Sequence, residues 1–145
     1  MSARDGVPAP ERVQQLLARA DAELAAAVEA HDAGDRFVHA HLAALRAAAA
    51  VVAWHGDAPR RGRARPVWEL LSGVEPELAA WSVYFASGAR LRAVVDSGHG
   101  DEVPARRADE LLACAEDFRD EVGLRLDPQA GFTLTGVHGP STAAS

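Results

Sequence analysis

The chain has 145 residues, 48% of them apolar, and a net charge of −6, which suits one core-bearing domain and excludes a protein that coats nucleic acid nonspecifically. All fifteen basic residues are arginine, so Schiff-base lysine chemistry and a phosphate-loop lysine are excluded. A single cysteine, Cys114, excludes an internal disulfide, Met1–Pro10 carries no apolar signal core, and no apolar run approaches the roughly 20 residues of a membrane span; a soluble, cytoplasmic protein with no membrane partner is expected.

Residues 1–9 read as a flexible N-terminus. Pro10 suits the first position of a helix, and Val13, Leu16, Leu17, Ala20, Leu24, Ala27 and Val28 follow at helical spacing. Gly34 is the expected terminator and Asp35 the expected cap of a second helix, which runs to about His55 before Gly56. Alanine fills eight of the fourteen positions from Ala40 to Ala53, and Arg46 is the one charge between Leu42 and Trp54. Such a helix belongs in the middle of a bundle or at a subunit interface.

An arginine-rich linker, 57–65, precedes a short helix opened by Pro66 and stopped near Ser72 and Gly73. Pro76 starts a fourth helix to about Asp96, apolar around much of its circumference at Leu78, Trp81, Val83, Tyr84, Phe85, Leu91 and Val94. A monomer of this size hardly buries two such helices, so a homodimer is expected. Gly98 and Gly100 break the chain before Pro104 opens the last helix, with Ala108, Leu111, Leu112, Ala115, Phe118 and Val122 on one stripe. Residues 126–145 turn to Gly, Pro, Ser and Thr and read as a flexible tail. The expected fold is all-α: an up-and-down bundle of four to five helices over residues 10–125.

Four groupings are candidates for chemistry. Arg36 and His41, and Arg92 and His99, have the spacing at which an arginine neutralises a phosphate while a histidine takes a 2′-hydroxyl proton, cleaving RNA without metal. Two such pairs are about what chance supplies from fifteen arginines and six histidines, so spacing alone carries no weight. Within a helix His39 shares the face of Arg36 better than His41 does. Arg60, Arg61, Arg63 and Arg65, against one aspartate between Gly56 and Pro66, form a basic loop suited to a phosphate or an acidic partner. Trp68 beside it reads first as a core residue and second as a base-stacking one. The acidic positions Asp109, Glu110, Glu116, Asp117, Asp120 and Glu121 read as a solvated face of the last helix. No His/Cys/Asp cluster has metal-ligand spacing, so neither metal nor cofactor is expected.

The run Arg36-Phe-Val-His-Ala-His-Leu-Ala-Ala-Leu-Arg-Ala-Ala-Ala-Ala-Val51 resembles the second helix of the HEPN family (higher eukaryote and prokaryote nucleotide-binding domains), nearest an actinobacterial branch of it. The stretches Trp68–Trp81 and Arg107–Phe118 carry the same resemblance, which spans most of residues 12–122. It implies an all-α bundle that often dimerises and acts in RNA-linked biology. Members are metal-independent ribonucleases with an Arg-x(4–6)-His pair, non-catalytic companions of nucleotidyltransferases, or interaction modules. The pair falls on Arg36 and His41 or on Arg92 and His99, the latter nearer the family's usual place. Active members carry a polar residue directly after the arginine, where Phe37 and Ala93 stand here. The resemblance therefore implies a non-catalytic module for RNA, a nucleotide or a separate protein partner, with a metal-independent endoribonuclease and a ligand-free structural adaptor as alternatives.

Overall fold

The computed structural model describes residues 9–56 and 66–126. The expected flexible ends and the basic loop with Arg60, Arg61, Arg63 and Arg65 lie outside those residues. The described chain is all-α, without strands: α1 (Ala9–Glu29), α2 (Ala33–Trp54), α3 (Val67–Val74), α4 (Ala79–Ser87), α5 (Ala89–Asp96) and α6 (Ala105–Leu126). Short 3-10 turns, Pro76–Leu78 and Gly100–Glu102, precede α4 and α6. With α4 and α5 taken as one helix broken at Gly88, the described residues hold five helices, within the four to five expected.

Helix α2 is the central rod. It packs most extensively on α1, then on α6 and α3. Its alanines at 40, 43, 44, 47, 48 and 50 are at most 1% exposed, because small side chains let neighbouring backbones approach on several sides. By length and composition α2 alone among the described helices is apolar enough to cross a bilayer, although Asp35, Arg36 and Arg46 interrupt it. Here it is wrapped by its own chain instead. One copy buries most of α2 and leaves Trp54, at its end, 48% exposed. Helix α4 differs: Trp81, Ser82 and Phe85 are buried, but Val83 is 72% exposed.

The first loop comes earlier than expected, at residues 30–32. Asp32 caps α2, its carboxylate accepting the Asp35 N–H at 3.0 Å, so Gly34 sits inside the first turn of α2 rather than ending α1. A Cβ on Gly34 would stand 3.0 Å from the Gly100 backbone, so glycine is needed for close approach, not for termination. The turn after α5 uses Gly98 at φ 97°, a conformation open to glycine. Trp68, Trp81, Phe85 and Phe118, from α3, α4 and α6, form the aromatic heart, with ring centroids 5.3 to 6.1 Å apart. Trp68 is therefore a core residue first, as expected.

Candidate functional site

Arg36 lies in the first turn of α2, on the side facing the end of α1. Its Nη2 donates to the carbonyls of Ala30 (3.0 Å) and His31 (3.2 Å), and its Nη1 to Asp109 Oδ1 on α6 (2.9 Å). These carbonyls have no helical partner of their own, so the guanidinium closes the C-terminal end of α1 and ties it to α6. His39 turns to α1, its Nδ1 2.7 Å from Glu23 Oε1.

His41 points elsewhere. It is 2% exposed, its ring is parallel to Phe37 at 6.2 Å, and Nε2 lies 3.0 Å from the Phe85 carbonyl oxygen of α4. A carbonyl only accepts, so Nε2 carries the proton and donates, leaving Nδ1 as a bare acceptor. Burial pushes the His41 pKa down; the Phe85 bond opposes this, and the charges of Arg92 and Arg107 add to it. The imidazole is therefore neutral at pH 7. Among the described residues Nδ1 meets no donor.

A pocket of about 320 Å³ opens beside His41, between α2, α3 and α5. Leu45, Val67, Trp68 and Ala89 supply apolar wall, and Arg92 and Asp96 supply charge. Arg92 Nε is 3.5 Å from Asp96 Oδ2, one turn along α5. The two Arg/His pairs of the sequence are thus crossed: His41 shares a cavity with Arg92, not with Arg36. His99 stands exposed on the turn after α5, with Nδ1 3.2 Å from Ser97 Oγ.

Two further clusters were not read from the sequence. The Arg107 guanidinium lies over the rings of Phe37 (5.3 Å) and Tyr84 (5.6 Å) and donates to the Tyr84 hydroxyl at 3.2 Å. That hydroxyl donates to Glu110 Oε2, also at 3.2 Å. Burial, then the neighbouring Cys114, push the Tyr84 pKa well above 10. Burial also raises the half-buried Cys114 thiol. Glu121, expected on the solvated face of α6, is instead 4% exposed and accepts from Trp81 Nε1 at 3.1 Å. Arg125 joins it at 3.4 Å and reaches Glu75 and Glu77 at 2.9 Å each, while His55 Nε2 lies 2.9 Å from Glu75. Tryptophan at 81 and glutamate at 121 carried no pairing signal, because they are distant in sequence. Among the described residues no three His, Cys, Asp or Glu side chains gather in a way that suits a metal ion.

The family model for SAV_6107-like HEPN proteins matches residues 27–123, from the last turn of α1 through most of α6. The chain belongs to the HEPN family. The matched span holds the whole His41 pocket, so the cavity is part of the HEPN domain itself. Searches of curated proteins and of solved structures found no match.

Proposed function

We propose that this HEPN chain is a non-catalytic, cytoplasmic binding module that takes RNA or a nucleotide at the pocket between α2, α3 and α5. The observation that carries the reading is the division of the arginine and histidine side chains. Arg36 is engaged by two main-chain carbonyls and Asp109, while His41 lines an apolar cavity with Arg92. A guanidinium so engaged is unavailable for phosphate, and a histidine whose pKa is lowered by burial and whose free ring nitrogen is closed to solvent is a poor general base. A concave, mostly apolar pocket with few polar groups is the usual form of a small-ligand seat. Arg65 is joined directly to Pro66 on the pocket's rim, so Arg60, Arg61, Arg63 and Arg65 are assigned as phosphate contacts.

The module acts as a homodimer through α4, which carries no charged residue and leaves Val83 exposed. Light scattering on the full chain tests this: a dimer is expected, and Val83→Glu returns it to monomer. A monomeric wild type refutes it.

One observation favours the endoribonuclease reading: Arg92 is 27% exposed, and His99 is exposed on the turn that follows its helix. Incubation of single-stranded RNA with the protein in chelator separates the two. Binding without cleavage is the expected result. Cleavage that His99→Ala abolishes refutes the non-catalytic reading.

A further inference from the structure

One side of α2 stays partly open to solvent. Val38, Leu42, Leu45 and Ala49 follow one another at steps of four, three and four residues, and all four are partly exposed. Such alternating steps hold a stripe on one side of a helix and are the spacing of a coiled-coil seam. Helices α1, α6 and α3 take other sides of α2. Leu45 also lines the pocket, so the seam runs along the pocket's edge.

His39 and Arg46, seven residues apart, flank this seam at the same heptad position. His39 is answered within the chain, by Glu23 of α1 at 2.7 Å. Arg46 is not. Among the described residues no acceptor meets its buried Nε, and no carboxylate pairs with its guanidinium. Nε is the one nitrogen of Arg46 closed to solvent, so the terminal N–H groups remain open beside the seam. A half-buried cation without a counter-charge bears a desolvation cost that nothing in the free chain offsets. In paired helices, charges at these flanking positions set which partner is accepted.

We infer that this seam of α2 receives an amphipathic helix of a second protein, with apolar residues at the matching spacing and a glutamate or aspartate set against Arg46. A second copy of this chain does not fit. The flanks of its own seam are His39, Arg46 and Ala53 on one side and His41 and Ala48 on the other, none of them an acid. An RNA strand does not fit either, because Val38, Leu42, Leu45 and Ala49 offer its phosphates no side-chain donor.

Two synthetic helical peptides with leucines at the seam spacing test this. They differ in one residue beside the leucines, glutamate in one and glutamine in the other. Each carries a fluorescent label, and its anisotropy is followed as the full chain is added. The glutamate peptide should bind about three- to tenfold more tightly, the difference one charged hydrogen-bonded pair makes. Arg46→Met keeps the side-chain stem and removes the charge. It should erase the difference without lowering Tm, because the guanidinium holds nothing in the free chain. Leu42→Asp should abolish binding of both peptides. Equal affinities, no binding of either peptide, or a lower Tm in Arg46→Met overturns the inference. A dimer that Leu42→Asp dissolves and Val83→Glu does not would give the seam to a second copy, and RNA binding weakened by Arg46→Met would give the arginine to phosphate; either result also overturns it.

Discussion

Replacing Arg36 by alanine distinguishes an arginine that holds the fold from one that serves chemistry. The substitution removes three hydrogen bonds, to Ala30 O, His31 O and Asp109 Oδ1. Asp109 is 66% exposed, so its ion pair contributes under about 1 kcal/mol. The two carbonyl bonds are charge-assisted and partly screened, at about 1 kcal/mol each. The sum, about 2–3 kcal/mol, lowers Tm by roughly 5–10 °C in a chain of this length. Thermal melts followed by circular dichroism measure it, and hydrogen exchange should show the last turn of α1 opening first. Arg36→Lys should recover only part of the loss, because an ammonium does not span three acceptors as a guanidinium fork does. A Tm within about 1 °C of wild type would refute the clamp.

Tyr84 is the one tyrosine in the chain, so its ionisation is read without overlap in ultraviolet difference spectra; its midpoint should lie clearly above the ordinary 10.0, and a midpoint at 10 would contradict the buried cluster with Cys114 and Arg107. The lowered His41 pKa makes the folded chain refuse a proton that the unfolded chain takes below pH 6.5. Stability from this group is therefore full above that pH and declines as pH falls from 6.5 toward the folded value, by up to about 1.4 kcal/mol per pH unit, a slope that urea titrations of wild type and His41→Phe should separate. Glu121→Ala strands the Trp81 N–H in the core and should cost about 1–3 kcal/mol in urea unfolding, whereas Glu121→Gln keeps an acceptor and should cost less; equal losses would show that the Trp81 bond is unimportant.

Helix positions were largely legible because prolines and glycines mark them. Pro66, Pro76 and Pro104 stand at helix or turn starts, and Gly56 and Gly98 follow helix ends at positive φ. The misreadings share one cause: tertiary contact overrode a local signal. Gly34 looked like a stop, but it lies within α2 where the Gly100 backbone needs room. Glu121 looked solvated by its neighbours in sequence, but Trp81 and Arg125 take it inward. The site was less legible for a geometric reason. Spacing along one helix says which side chains share a face, and it placed His39 and His41 on different faces correctly. It does not say which helices meet, and the pocket joins His41 of α2 to Arg92 of α5. The apolar circumference of α2 was read correctly, and α1, α3 and α6 cover much of it within one chain.

The most direct test of the binding account is equilibrium titration of AMP and a short single-stranded RNA, in chelator, against wild type and Leu45→Trp, with the RNA recovered afterwards. The indole of Leu45→Trp fills the cavity beside His41, against Trp68, without touching the Arg36 clamp. Saturable binding by wild type, intact RNA, and a loss of about tenfold or more in a Leu45→Trp variant that still melts cooperatively are expected. Cut RNA, or equal affinity in the two proteins, would contradict it.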